Sequence, residues 1–252
     1  MKKPAISTIE FTNACNFTCS YCQRTDDDGI RLVGMLSVDV VKNMVSRGDF
    51  DNTLYCEFQQ NGEPTIHPKF PELVDEIKSV VPYIGLSTNG TYYKFARAEK
   101  ILNALKKCDC ITLSIHKETT QFDVDNFIEN LKDYTKIRIQ TLDNITYDLD
   151  IEKYRGVKNI FLDNYEIREF RKEYFPNACL DPQASVTIQW DGDVVACCNV
   201  VGKQRVYGNI GKDTLEDIWR DAPKTMFNYC KTCKTPSPYA KRLNFLADTL
   251  NT

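Results

Sequence analysis

No stretch of this chain approaches the roughly 18–20 consecutive apolar residues of a membrane-spanning helix, so none is expected. There is no surplus of one charge either. Lys+Arg number 32 and Asp+Glu 35, a formal net charge of −3 over 252 residues. General nucleic-acid binding is therefore not expected, although a local basic patch is compatible with that balance. Internal repeats, low-complexity tracts and Gly/Ser-rich linkers are also missing. The opening MKKPAISTIEF is too short and too polar for a signal peptide. The expected setting is the cytoplasm, and the length allows one large domain or a medium one with a small companion.

Cysteine, by contrast, is abundant. There are 11, and without a secretion signal they are expected to stay reduced rather than form a disulfide framework. Clustered thiols in a reducing compartment point to metal binding or chemistry. Three are grouped at Cys15, Cys19 and Cys22, and five fall at Cys179, Cys197, Cys198, Cys230 and Cys233. Cys56, Cys108 and Cys110 carry no motif and read as small buried hydrophobes.

Short β-rich runs at 5–12, 54–60, 83–88, 110–116, 136–141 and 158–163 alternate with helical patterns at 37–47, 69–80, 94–107 and 122–133. Ser37 and Pro71 are suitable helix starts. Strict alternation predicts βαβ units and a parallel sheet. Six strands are too few for a closed eight-stranded barrel and suit an open, partial one of about 160 residues. Within the strands the pattern has period two. Ile9, Phe11, Phe58, Leu86, Leu113 and Ile139 share the face expected to meet the helices. Thr8, Glu10, Glu57, Ser87, Thr112, His116, Arg138 and Asp163 share the other, which is expected to line a concave interior. So polar a wall calls for water or a hydrophilic ligand, unless it satisfies itself through pairs such as Glu57 with Arg138.

From about residue 164 the pattern changes. A charged helical segment leads to Cys179, then SVTIQW and DVVACC flank Asp191-Gly192 as a predicted hairpin. The helix TLEDIWRDA and then Cys230 and Cys233 follow. This stretch carries too few apolar residues to fold unaided, so a metal site is a plausible staple.

Cys15, Cys19 and Cys22 lie just past the first predicted strand, where ligands of α/β folds bind. Three thiolates are one short of a closed four-ligand site. A [4Fe–4S] cluster held this way keeps one iron open to an outside ligand. CNFTCSYC, with Tyr21 before its last cysteine, resembles the CxxxCxxC signature of the radical S-adenosylmethionine (SAM) superfamily. Asn61-Gly62-Glu63-Pro64 resembles that family's GGEP motif, with Asn61 departing from the usual first glycine, and Ser87-Thr88-Asn89-Gly90 resembles its TNG segment. The resemblance implies that Cys15, Cys19 and Cys22 hold a [4Fe–4S] cluster. It implies further that Tyr21, Asn61, Gly62, Glu63, Pro64, Ser87, Thr88 and Asn89 surround SAM. A zinc site is the alternative for the three thiols.

Gly192 with Cys197 five residues on, the Gly208-Asn209-Ile210 run, the EDIW helix and a closing CxxC resemble the family's SPASM/twitch auxiliary domain. The resemblance implies one auxiliary [4Fe–4S] cluster on Cys179, Cys197, Cys230 and Cys233. Cys198 in place of Cys197, and a four-cysteine zinc, remain alternatives. The implied fold is α/β: a partial (β/α)6 TIM-like barrel over residues 1–165, then a small α+β auxiliary-cluster domain over 166–252 with a C-terminal helix.

Among members with this compact layout, the chain most resembles the 2-deoxy-scyllo-inosamine dehydrogenase type. The implied reaction is a two-electron oxidation of a small hydrophilic substrate such as a sugar, cyclitol or nucleotide, with the auxiliary cluster taking an electron. Glu10, Glu57, His116 and Arg138 are the candidates for substrate binding and the proton step. A peptide-modifying maturase is the second expectation. A barrel starting near residue 5 leaves no room ahead of it for the usual peptide-recognition domain, so a separate protein would have to supply recognition. A non-enzymatic iron–sulfur or zinc module is the third, and the GEP and TNG segments count against it. Lys231, Lys234, Lys241 and Arg242 make the far end basic; this is ordinary surface or a dock for a flavodoxin or ferredoxin-type donor. Asp26 to Asp28 form a solvated loop or a lid over SAM.

Overall fold

The computed structural model describes residues 3–22, 24, 32–142, 147–165, 179, 181–200, 206–223 and 247. Six strands and four helices alternate first: β1 (Ala5–Ile9), α1 (Val38–Ser46), β2 (Tyr55–Phe58), α2 (Phe70–Lys78), β3 (Tyr83–Thr88), α3 (Ala98–Leu105), β4 (Cys110–Ser114), α4 (Gln121–Leu131), β5 (Lys136–Leu142) and β6 (Ile160–Tyr165). A short helix α5 (Asp181–Ala184) then leads to β7 (Ser185–Ile188), β8 (Asp193–Val195), β9 (Val206–Asn209) and α6 (Leu215–Asp221). The helix starts follow from local chemistry. The Ser37 hydroxyl accepts the Asp39 N–H at the head of α1, and Pro71 sits in the first turn of α2. Thr120 and Asp123 cap each other's backbone at the start of α4.

The strands run β6-β5-β4-β3-β2-β1-β7-β8-β9 across one sheet, whose edges are β6 and β9. From β6 to β7 every pairing is parallel; β7, β8 and β9 are antiparallel. The sheet is thus an open α/β barrel wall, and the hairpin after Asp181 continues it through β1. Of the six expected strands, only the third keeps both ends; the others shift at one or both ends, and the first and sixth show a local cause. The first strand stops at Ile9: the Glu10 N–H still bonds the Ile188 carbonyl of the neighbouring strand, but the Phe11 carbonyl then accepts from Leu36 of another segment. β6 begins at Ile160 rather than 158, because Asn159 takes a left-handed conformation (φ 66°) and anchors its amide on the Lys132 carbonyl.

Period-two alternation sorts the two faces as expected. Ile9, Phe58, Leu86, Leu113 and Ile139 are fully or almost fully buried, in one core with Met44, Leu73, Ile77, Ile101 and Phe127 of the helices. Each such side chain contributes about 1.5–3 kcal/mol by leaving water. The opposite face is polar, with Thr8 beside Glu57, Ser87 beside Thr112, and Thr112 beside Arg138. At the starts of β2, β3 and β4 this face is plugged by Tyr55, Tyr83 and Cys110. The Tyr55 hydroxyl lies 3.1 Å from the Cys110 sulfur, above Gly85, where a Cβ would meet that hydroxyl at 1.9 Å. Burial pushes the Cys110 thiol up to about 12, so it stays protonated. Cys56 and Cys108 are buried in the core. Among the described residues no helix is long and apolar enough to cross a membrane.

Candidate cofactor site

The cysteine loop leaves the carboxyl end of β1 and is folded by its own polar side chains. Thr12 donates to the Gly34 carbonyl (2.6 Å) and accepts from the Ala14 N–H (3.0 Å). Asn13 clasps the returning segment by donating to the Leu32 carbonyl (3.1 Å) and accepting from the Gly34 N–H (2.9 Å). Asn16 donates to Thr91 and accepts from Asn89, both at 2.9 Å, which ties the loop to the end of β3. Cys15, Cys19 and Cys22 all line one cleft with a cavity volume of about 190 Å³. Tyr21, Arg24, Gln59, Gln60, Asn61, Gly62, Glu63, Ser87, Thr88, Asn89, Ser114 and His116 line it too.

The second wall comes from the end of β2. Gly62 passes so close to the cysteine loop that a Cβ there would lie 2.2 Å from the Thr12 carbonyl oxygen and 2.6 Å from that of Ala14. The Glu63 N–H donates to the Ala14 carbonyl at 2.8 Å. The buried Glu63 carboxylate accepts from the Thr65 N–H and hydroxyl, the Thr88 hydroxyl and the Asn89 N–H, at 2.6–3.1 Å. It therefore joins the ends of β2 and β3. Burial raises its affinity for a proton, and these donors oppose that. Pro64 opens the short 3-10 turn Pro64–Ile66 that Glu63 caps.

Several observations fit an iron–sulfur and SAM site. Three thiols ring one cleft, with Gly62 holding its walls together. Burial pushes the Cys15 thiol up to about 11 and raises that of Cys19, so thiolate forms there only with a strong cationic partner such as iron. The Asn61 amide nitrogen and oxygen and the Gln60 Oε1 are buried beside the cleft with no hydrogen-bond partner among the described residues, so a bound group has polar atoms to meet. Among the described residues no three His, Cys, Asp or Glu side chains are gathered for a single metal ion.

The four candidates for substrate chemistry are not brought together. Of them, only His116 lines the cleft. Its Nδ1 lies 2.8 Å from the Tyr21 hydroxyl and 3.4 Å from the Cys19 sulfur, with Phe17 edge-on to its ring. Burial lowers its proton affinity. Glu57 lies a layer below, accepting from Ser87 at 2.6 Å. Arg138 Nη1 is 3.6 Å from the Asp163 carboxylate. Glu10 is buried and accepts the Trp190 N–H of the hairpin at 3.1 Å. Gln59 and Ser114 belong to the polar strand face, whereas nothing in the sequence singles out Asn16, Arg24, Gln60 or Thr65. Their signal is weak: polar residues at strand ends, visible only once the loops converge.

In the C-terminal region Gly192 (φ 85°) makes the hairpin turn, and the Gln189 N–H meets the Asp193 carbonyl at 2.8 Å. Asn209 donates to the Asp191 carbonyl and the Asp193 carboxylate, so the Gly208-Asn209-Ile210 run clamps that turn. Cys179 and Cys197 are half-buried and Cys198 is buried. The Gln60 amide donates to the Val200 carbonyl at 2.9 Å, linking the cleft wall to this cysteine turn. Cys230, Cys233, the acidic run at 26–28, the charged segment at 166–175 and the basic residues from Lys231 to Arg242 lie outside the described residues.

Both histidines of the chain are affected by burial. His67 Nε2 meets the Leu36 carbonyl at 2.9 Å and Nδ1 accepts the Lys69 N–H at 3.0 Å, which requires the neutral ring. Burial lowers the proton affinity of both rings below the ordinary value near 6.5. The unfolded chain then binds protons first as pH falls, so stability is full above about pH 6.5 and declines below it. The melting temperature of the cofactor-free chain is expected to drop between pH 7.5 and 5.5. His67→Gln with His116→Gln should flatten that slope; an unchanged slope in the double variant refutes the assignment.

Comparison with known proteins follows the same division. The sequence model of the Radical SAM superfamily matches residues 9–153, and that of an iron–sulfur cluster-binding domain, SPASM, matches residues 179–236. The chain is 22% identical to a tungsten-containing aldehyde ferredoxin oxidoreductase cofactor-modifying protein of Pyrococcus furiosus, over 88% of this chain and 82% of that one. It is 27% identical to a probable GTP 3',8-cyclase of Sulfolobus acidocaldarius over 59% of this chain, and spans about half (48%) of that relative's length. Among solved structures, BtrN in complex with AdoMet and 2-DOIA superposes with a TM-score of 0.55 at 17% identity, covering 92% of this chain and 89% of BtrN. Streptococcus suis SuiB bound to its precursor peptide SuiA superposes with a TM-score of 0.61 at 15% identity, covering 93% and 70%.

Proposed function

Since this chain belongs to the radical SAM superfamily, with a SPASM-type auxiliary cluster domain, we propose that it dehydrogenates a small hydrophilic molecule. Superfamily membership makes it a SAM-dependent enzyme carrying a [4Fe–4S] cluster and an auxiliary iron–sulfur cluster, rather than a bare binding module. The observation that carries the finer reading is the polar wall. Beyond the cleft, the inner face of the sheet presents Glu57, Thr112, Arg138 and Asp163, and its floor is closed by Tyr55 and Cys110. A hydrogen-bonding wall of this kind suits a sugar, cyclitol or nucleotide. The fold likeness to BtrN agrees with this reading.

Under this reading Cys15, Cys19 and Cys22 hold the first cluster, and Asn61, Gly62 and Asn89 flank SAM. Cys179, Cys197, Cys230 and Cys233 hold the auxiliary one, within a unit spanning 166–252 that follows the barrel of 1–165 in the chain. When bound, these groups supply a 5′-deoxyadenosyl radical as hydrogen-atom acceptor and a cluster as electron acceptor. The chain must take up the proton. His116 lines the cleft and burial keeps its ring neutral, which makes it the acceptor among the four candidates. Glu63 fixes the strand ends, and Tyr21 steadies the His116 ring. The donor of the reducing electron is a flavodoxin or ferredoxin-type protein.

Peptide modification is the second reading. It is favoured by Leu32, Val33 and Met35, exposed at 80%, 68% and 42% on the segment that Asn13 and Thr12 clasp. One experiment separates the two. The protein is reconstituted without oxygen, iron and sulfide are counted, and SAM and dithionite are added. About eight irons per chain and 5′-deoxyadenosine are expected. Deuterium passing into 5′-deoxyadenosine from C-deuterated cyclitols or sugars supports dehydrogenation; deuterium passing only from a labelled peptide overturns it.

A further inference from the structure

Among the described residues that line the cysteine cleft, Arg24 is the one fixed cation. One guanidinium nitrogen donates to the Phe17 carbonyl at 3.1 Å and the other to the Asn13 carbonyl at 3.4 Å. These carbonyls lie two residues after and two residues before Cys15. The planar guanidinium fork therefore spans the turn that presents the first thiol, a bridge that a point charge on a flexible stem makes less well. The carboxylate at this cleft, Glu63, is engaged by four donors.

We propose that Arg24 is a positioning residue that holds the Cys15 turn and, through its charge, raises the reduction potential of the cluster bound by Cys15, Cys19 and Cys22. The physical reason is direct. Three thiolates and a buried carboxylate oppose the arrival of an electron, and net charge and hydrogen bonding set where an iron–sulfur cluster is reduced. A fixed cation within the same cleft offsets that opposition where solvent screening is weak. Arg24 thereby eases reduction of the cluster by its electron donor, the step that precedes SAM cleavage. The inference rests on the superfamily cofactor set, and goes beyond it by assigning control of the potential to this side chain.

The test is a redox titration of the reconstituted holoenzyme followed by electron paramagnetic resonance, with iron counted in every sample. Arg24→Gln is expected to shift the midpoint to more negative potential. At a poise where half of the wild-type clusters are reduced, only a minority of the R24Q clusters should be. Arg24→Lys keeps the charge and should titrate close to wild type. A wild-type midpoint in fully loaded R24Q overturns the proposal. So does an R24K midpoint as low as that of R24Q, because the lost bridge rather than the charge would then set the potential. If R24Q takes up no iron, R24K decides: a wild-type midpoint supports the role of charge and a displaced one refutes it. A wild-type chain that holds no iron at these thiols overturns the cofactor assignment, and the proposal with it.

Discussion

Alanine at Cys15, Cys19 or Cys22 is expected to remove about four irons from each reconstituted chain and to reduce 5′-deoxyadenosine formation to background. The three sulfurs line one cleft, and burial disfavours the thiolate at Cys15 and Cys19, so iron must supply the compensating charge. With one thiol gone, two remain to hold the whole cluster. Cys108→Ala is the control. That thiol lies in the helix-facing core and burial pushes it strongly toward the protonated form, so iron content should not change. Cys197→Ala should also lose about four irons while SAM cleavage persists, because the auxiliary site is separate. Iron analysis and chromatography of SAM products read all of these outcomes. A Cys19→Ala chain that still cleaves SAM would refute the assignment of the cleft.

Gly62→Ala is expected to be nearly as severe, although it removes no ligand. The added methyl would lie 2.2 Å from the Thr12 oxygen and 2.8 Å from the Asn13 Cα, and backbone atoms there cannot rotate aside. Separating the end of β2 from the cysteine loop breaks the Glu63 N–H bond to Ala14 and strains the Asn13 clasp on Gly34. Overpacking of this kind costs about 3 kcal/mol, a fall of ~6–12 °C in melting temperature for a domain of this size. Cluster occupancy should fall as well, since the Cys15 turn carries the displacement. Thermal melts and iron counts on G62A test this. Wild-type stability with full iron content would show that the close approach is not needed. The same contact explains why glycine stands there: no side chain fits between two backbones that meet.

Two kinds of information in the chain were local enough to read directly. Period-two alternation separated Ile9, Phe58 and Leu113 from Thr8, Glu57 and Thr112, because residues on a strand alternate faces whatever packs against them. The helix starts at Ser37 and Pro71 belong to the same class, since a cap bond or a proline's fixed φ acts within one turn. The spacing of Cys15, Cys19 and Cys22 pointed to an iron–sulfur loop, because those thiols are neighbours in the chain as well as in space.

What depended on packing was which side chains the wall leaves for chemistry. Glu10, Glu57 and Arg138 look equivalent to His116 along the strands, yet the first is tied to Trp190 and the others to Ser87 and Asp163. Glu63 looks like a free acid in its motif, and its donors Thr88 and Asn89 arrive from another strand 25 and 26 residues away. The pairing of β7 with β1, which makes the C-terminal hairpin part of the barrel sheet, joins residues some 180 apart in sequence. Alternation and helix starts were readable because those interactions close over a few residues, and the cofactor loop was readable because the CNFTCSYC segment resembles a family signature. The partner of each polar side chain is set when distant strand ends converge, and a buried charge takes whichever donors that convergence brings to it.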